Sequence, residues 1–410
     1  MNALAAAVGQ LGDYRRLLAI RDYRLLWTAQ TVSTFGDRLT QIALAALIYS
    51  MTGSEIGMGV LLTISEAPRA ILGLVAGTVA DRVSRKTLLV ASDAIRALVV
   101  LVLALWVGMP LAIVYLMTIV HATATVFFSP ARYAVVPDIV PRENLLDANT
   151  LDETTQGALD PLAYVAGGAL VGVLGARLAF GVDSLTFAVS AGLIALTTSR
   201  AAAMWRAQRD EPRPIHSEVI EGVRVLFADR ILRANTLLMV LAGVVASADT
   251  PLIYMLAFYH WQKGALGLGI LEGGLAIGFV LGALVCGTIV DRLGKGLTTL
   301  LGLIGTGLSM VLVAYLPFWP AAFVYAASGV LNMLFFVPGL TMTQERAPRH
   351  ALGRVLSTRG ALLSLSVFVS YGLATLLVTH VAATSLMAAM GAVLAVTTLG
   401  AAAVPALRAR

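Results

Sequence analysis

The sequence predicts an all-α membrane protein with twelve transmembrane helices in two pseudo-symmetric six-helix bundles. Three observations carry this. Apolar residues make up 58% of the 410 positions before the 38 glycines are counted, and charged residues only 13%. A soluble chain is ~45–50% apolar with glycine included, and ~25% charged. The apolar stretches run for about 20 residues or more, the length a helix needs to cross hydrocarbon. Landmarks of the first half return in the second at a nearly constant offset. With a mean hydropathy of +0.85, soluble-domain, coiled-coil and disordered readings fall away. The single cysteine, Cys286, excludes an intrachain disulfide framework.

In chain order the spans are expected at 24–50, 56–80, 87–108, 110–136, 145–175, 177–198, 234–259, 265–290, 297–317, 319–341, 351–379 and 381–405. They are rich in Ala, Leu, Val and Gly and lack the ~10-residue alternation of barrel strands. Residues 1–12 precede the basic run Arg15–Arg24 rather than follow it, so a retained first span is expected in place of a cleaved signal. With twelve spans, 24 of the 29 Lys and Arg fall on the side that holds both termini, and only Arg177 and Lys263 opposite. That asymmetry predicts cytoplasmic termini. The net charge of +6 then reflects topology and contact with anionic membrane lipids, and no nucleic-acid partner is expected.

The repeat is specific. Gly77-Thr-Val-Ala-Asp81-Arg82 returns as Gly287-Thr-Ile-Val-Asp291-Arg292 at an offset of 210. Phe127-Phe128-Ser-Pro130 returns as Phe335-Phe336-Val-Pro338 at 208, and Pro141-Arg142 as Pro348-Arg349 at 207. Asp37 aligns with Asp249 at 212. Six spans per half make a parallel repeat about the membrane normal. The expected organisation is a bundle over 1–198, a cytoplasmic linker over 199–233 with a candidate amphipathic helix at Glu218–Phe227, and a bundle over 234–410.

The loop after span two, Gly73-Leu-Val-Ala-Gly77-Thr-Val-Ala-Asp81-Arg82-Val-Ser-Arg85-Lys86, resembles the major facilitator signature G-x-x-x-D-R-x-x-R-K. The degenerate copy at Gly287, Asp291 and Arg292 stands where that superfamily carries one. Trp27-Thr-Ala-Gln30, Phe35-Gly36-Asp37, Phe127–Pro130 and Pro137-Asp138-Ile-Val-Pro141 resemble its bacterial drug and macrolide exporters. That group also contains siderophore exporters and lysophospholipid transporters. Where such exporters carry Gly-Pro deep in span five, this chain has Asp160-Pro161 earlier and Gly167-Gly168 near the expected place. The resemblance implies a cytoplasmic gate. Gly73 and Gly77 would let span two approach a neighbouring helix. Asp81 would face the start of span eleven near Ala351, with Arg82 and Lys86 beside it, and Arg85 would pair with Asp138.

Charges within spans are expensive in hydrocarbon and mark a partner or a cavity. Asp93 and Arg96, at i,i+3, read as a structural pair, and Asp183 as a cap for span six. Glu66 and Arg69 either neutralise each other or line the cavity. Asp37, central in span one, leads the candidates for carrying a proton, ahead of Glu66, Asp160, Asp249 and Glu272. The alternatives are a fixed pair with Arg38 or another fixed cation, and for Asp249-Thr250-Pro251 a mere kink. His121 reads as a helix–helix hydrogen bond or a proton relay. Phe35, Arg38, Arg69, Tyr164, Tyr254, Phe258, Phe335 and Phe336 join His121 as cavity-lining candidates, although aromatics at helical spacing mostly pack. The five histidines have no metal-ligand spacing, and no Walker loop is present. Neither a metal nor a cofactor is expected.

The expected activity is export of an amphipathic or hydrophobic small molecule by proton antiport, from a monomer in a bacterial inner membrane. The competing readings are a lysophospholipid flippase of the same fold and a proton-coupled symporter for a polar solute. A membrane enzyme or channel would need clustered ligands or a repeated filter, which the sequence does not offer.

Overall fold

The computed structural model describes residues 14–198, 215–348 and 351–401, excepting the side chains of 81–82 and 215–219. Helices dominate, and no strand occurs among the described residues. In hydrocarbon a backbone has no water to bond, and a helix satisfies its polar groups within one segment. The first half contributes α1 (Arg21–Thr52), α2 (Glu55–Arg82), α3 (Arg85–Leu105), α4 (Leu111–Ile139), α5 (Leu145–Leu174) and α6 (Ala176–Ala195). Then come α7 (Ile215–Ala228), α8 (Arg230–Ala246), α9 (Asp249–Met255), α10 (Gly264–Leu293), α11 (Lys295–Tyr315), α12 (Phe318–Arg346), α13 (Leu352–Leu377) and α14 (Ala383–Ala401).

Eleven spans among the described residues are long and apolar enough to cross a membrane, against twelve expected. The one missing is α1. At 32 residues it is about 48 Å long. Its middle, however, carries Gln30, Ser33, Thr34, Asp37, Arg38, Thr40 and Gln41, too polar to qualify on composition. The seventh expected span is broken. Pro251 has no N–H to return to Ser247, so the helix stops at Ala246 and restarts at Asp249. A π-turn at Leu256–His260 then ends the span.

Local signals place the other ends. The Ser84 hydroxyl accepts from the Thr87 N–H and starts α3. The Asp229 carboxylate accepts from the N–H groups of Ile231 and Leu232 and starts α8. The linker helix expected at Glu218–Phe227 is α7. Its Leu226 is buried against Ala347, Ala351 and Val355. Glu221 holds Arg354 at 2.5 Å, so Arg354 serves a helix contact instead of standing in a loop.

The described residues of Met1–Leu44 and Leu72–Asp210 form one compact unit, and those of Ala45–Ile71 and Glu211–Arg410 the other. These units follow packing, whereas the expected division follows the repeat. The connected ends of α1 and α2 group with the second unit, where the Tyr49 ring meets that of Phe258 at 5.1 Å. There too the Thr63 hydroxyl lies 3.3 Å from that of Thr375.

Close helix crossings in the second unit rest on glycine. A Cβ on Gly278 would strike the Ala326 carbonyl, and one on Gly329 would strike Gly278. Gly73 and Gly77 correct the expectation of close approach: among the described residues a Cβ there meets nothing within 4 Å, and the same holds at Gly287. These signature glycines leave a helix face open. We therefore expect Gly278→Leu to lower stability by about 1–3 kcal/mol or prevent folding. Gly192→Ala, whose Cβ enters open space, should leave the thermal midpoint of the detergent-purified protein unchanged or slightly raised. Equal midpoints for the two variants would refute this packing argument.

Candidate functional site

Each unit holds a cluster of charged side chains. In the first, Arg96 on α3 is the centre. It is 1% exposed, its guanidinium lying between the rings of Phe128 and Phe187 at 4.4 and 4.3 Å. One nitrogen contacts Asp93 at i,i+3, and another lies 3.3 Å from Asp37 Oδ2 on α1. Asp93 also accepts from the Ser190 hydroxyl of α6 at 2.6 Å. Across Asp37 stands His121 of α4, with Nε2 at 3.8 Å from Oδ1 and no hydrogen-bond partner. A cavity of about 100 Å³ reaches this cluster, lined by Gln30, Ser33, Asp37, Arg96, Ser129 and Arg132 among others.

Two placements correct the sequence reading. Asp183 is not a cap. It lies eight residues into α6, fully buried, and accepts from Thr40 at 2.5 Å and Thr186 at 2.8 Å. The Gly36 backbone permits this, because a Cβ there would strike the Asp183 carboxylate. Nor does Arg38 pair with Asp37. Consecutive residues on a helix point ~100° apart, and Arg38 turns to α5. There its Nε and Nη2 hold the two oxygens of Asp160 at 2.9 and 3.0 Å. Asp160, a proton-carrying candidate by sequence, is thus one half of a bidentate pair. Arg38 also stacks on Tyr164, 5.1 Å from the ring centroid, and Tyr164 donates to Gln41. Phe35 is half-buried on the same helix.

At the ends of α3 and α4, Arg85 donates to Asp138 at 2.5 Å and to the Ala134 carbonyl at 2.8 Å. Lys86 donates to the carbonyls of Ala195 and Thr197, each at 2.8 Å. A cation there meets the unpaired carbonyls that end α6. The side chains of Asp81 and Arg82 lie outside the described residues. In the second unit Lys295 meets Glu345 at 2.5 Å. Offsets of 210 and 207 make this pair the repeat mate of Arg85 and Asp138. The register held that signal, although only the more literal copy of the motif drew notice. Asp291 and Arg292 are exposed and form no ion pair among the described residues.

The second cluster forms at the break before α9. Asp249, half-buried, lies beside the buried Glu272 of α10 and Tyr325 of α12. Glu66 and Arg69 on α2 are 3.7 Å apart, with the Arg69 side chain 58% exposed. A cavity of about 260 Å³ is lined by Asp249, Thr250, Tyr325, Asn332, Phe335, Phe336 and others. Tyr254 and Phe258, expected to line a cavity, are instead buried in packing within this unit. Arg359 lines it too. By sequence this residue counts among the loop cations, yet it sits two turns inside α13 and is 5% exposed. No group of three His, Cys, Asp or Glu among the described residues has the geometry of a metal site.

These features can be set beside known proteins. Macrolide efflux protein A of Streptococcus pyogenes is 23% identical over 348 residues, which cover 83% of this chain and 85% of that protein. Enterobactin exporter EntS of Escherichia coli O1:K1 / APEC is 25% identical over 339 residues, 81% of this chain and 79% of its own. Among solved structures, the peptide transporter POT in complex with sulfate superposes with a TM-score of 0.74 at 14% identity, covering 94% of this chain and 95% of that one. A bacterial homologue of the iron transporter ferroportin in its inward-facing state gives 0.72 at 14%, covering 95% and 100%. At such identity the structural likeness shows the fold. The family model for the Major Facilitator Superfamily matches residues 26–371, and with that match over most of its length the chain belongs to this superfamily of membrane transporters.

Proposed function

We propose that the chain exports amphipathic or hydrophobic small molecules across a bacterial inner membrane, both termini cytoplasmic, in exchange for protons. The observation that carries the coupling is the charge count around Arg96. Two carboxylates, Asp37 and Asp93, share one buried guanidinium, and a third, Asp183, is buried in the same unit with no cation within 4.0 Å among the described residues. Asp93 is held by Arg96 and Ser190, and Asp183 by two hydroxyls. Asp37 is the member with both a loose partner and an open side. Its contact to Arg96 is 3.3 Å, its side chain is 27% exposed and it lines the small cavity. A proton arriving there neutralises excess negative charge in a low-dielectric site, and its departure restores the attraction to Arg96. Binding of proton and cargo to different states supplies the coupling, and rocking of two bundles supplies alternating access. The efflux relatives support the direction of transport.

In this reading the Arg85–Asp138 and Lys295–Glu345 pairs steady the cytoplasmic ends of the helices in one state and release them in the other. The transported molecule, protons and membrane lipids are the only partners the mechanism needs, a monomer suffices, and the proton gradient is the energy source.

Two outcomes are expected. In proteoliposomes with an imposed pH gradient, macrolide addition should drive proton movement in the wild type. Asp37→Asn should reduce that movement at least ~10-fold while macrolide binding persists. Macrolide movement indifferent both to the gradient and to Asp37→Asn would overturn antiport in favour of facilitated flipping. Separately, Arg85→Asp and Asp138→Arg should each depress export, and the double exchange should recover part of it. A coupling of about 1 kcal/mol or more is expected from that cycle, whereas strict additivity would remove the pair from the gate.

A further inference from the structure

We infer that Arg359 anchors a subsite for the carboxylate of a small amphipathic acid, held in the cavity of the second unit; this rests on the export reading and narrows its cargo. Arg359 lines the cavity at 5% exposure, and its Nε and Nη2 are both buried without a hydrogen-bond partner. Among the described residues no carboxylate lies within 4.0 Å of it. A buried cation in that condition is strongly destabilising, so the position calls for a reason to keep it.

The chain itself shows what those two nitrogens take. Arg38 uses its Nε and Nη2 to grip both oxygens of Asp160. Arg359 offers the same edge with nothing on it. A planar guanidinium fork matches a carboxylate better than any neutral group. The repeat explains why the partner is missing. At the 207 offset Arg359 occupies the place of Asp152, and at the 208 offset the place of Arg132 is taken by Leu340. In the first half Asp152 and Arg132 pair at 3.3 Å. In the second half the charge has reversed and its intramolecular partner is gone.

The rest of the cavity describes the molecule that would complete the site. Met239, Leu275, Phe279, Leu363 and Val367 supply an apolar wall, and Ser247 and Asn332 polar groups that can orient a ligand. Asp249 lines the same space, outside ion-pair distance of Arg359, which favours one negative charge over two. The volume of about 260 Å³ falls just short of the ~300–1,000 Å³ of drug-sized sites. It takes the acid head and the first ring or short chain of a ligand.

The test compares 4-tert-butylbenzoate with 4-tert-butylbenzamide, which share one apolar body. The full-length protein is placed in phosphatidylcholine nanodiscs, empty nanodiscs give the background, and ligand-dependent shifts of the unfolding midpoint give affinity. The acid should bind at least ~10-fold more tightly than the amide, the loss expected when a charge-assisted bidentate contact becomes neutral. Arg359→Gln should abolish that preference and raise the ligand-free midpoint, since it removes an unpaired buried charge. Arg359→Lys should keep a weakened preference. Equal affinities in the wild type, or an undiminished preference in Arg359→Gln, would overturn the inference. So would loss of acid binding when phosphatidylglycerol is added to the bilayer, which would make this a lipid-headgroup site. Binding needs neither gradient nor turnover. A chain that binds the acid but moves no substrate defeats the export reading alone, and one that exports neutral compounds without telling acid from amide defeats this inference alone.

Discussion

Arg96 imposes the constraint on which the first unit depends. A guanidinium within a transmembrane helix costs roughly 2.5–3.5 kcal/mol by insertion scales even before isolation from water is complete, and this one is 1% exposed. Everything around it answers that cost. Asp93 and Asp37 supply opposite charge from two helices, and Phe128 and Phe187 supply ring faces from two more. Three other helices are therefore held to one side chain of α3. The polarity of α1 follows, because it must deliver Asp37 to Arg96, Thr40 to Asp183 and Arg38 to Asp160 on successive faces.

The Arg96 guanidinium, on which only Nε lacks a partner, gives the second unit its meaning by contrast. Arg359 is buried nearly as deeply, but its Nε and Nη2 meet no partner, and the residue lines a cavity. Two arginines in one chain thus show the two fates open to a charge in an apolar bundle. One is neutralised by the fold, and its removal would leave two carboxylates without their cation. The other is left for something that is not part of the fold. Burial alone does not separate them, since both are inaccessible. The hydrogen-bond ledger of the guanidinium does.

The fold was largely legible before any coordinates, because it rests on quantities that a sequence states directly. Span length, apolar content and a repeat register need no knowledge of which way a helix is turned. The linker helix was legible for the same reason. From the residues alone, partnerships were legible where one helix contains both partners, as with Asp93 and Arg96 at i,i+3, and the one inter-helix pair foreseen, Arg85–Asp138, came from the family resemblance. Between helices they depend on rotation about each axis, which nearly all-apolar segments leave undetermined. Asp37 and Arg38 are neighbours in sequence and look inward to different helices. Asp183 read as a cap although the expected span already placed it in the second turn, because the sequence does not show the Thr40 and Thr186 hydroxyls that hold it, and Gly77 read as a packing residue because a motif does not say what lies opposite it. Arg359 was hidden by a similar error of position, counted with the loop cations when α13 had already begun.

Duplication explains why the halves should differ inside and agree at their ends. Arg85–Asp138 and Lys295–Glu345 occupy matching positions and have kept their sense of charge. Such a contact depends only on where helices start and stop, which the repeat preserves. The interior has not been kept. At the 210 offset Arg96 becomes Thr306 and Asp93 becomes Leu303, both buried. Asp249 therefore retains the place of Asp37 without the cation that holds it, and meets Glu272 and Tyr325 instead. A carboxyl whose repeat-related cation is gone, and an arginine that replaces the repeat-related Asp152 and has Leu340 in the register of its partner Arg132, line the same cavity of one unit. Loss of internal neutralisation on both counts is what a binding site requires, because a charge already satisfied by the fold has nothing left to offer a ligand. The first half holds its buried arginine against carboxylates of the fold, and the second has become the half whose buried arginine has no such partner among the described residues.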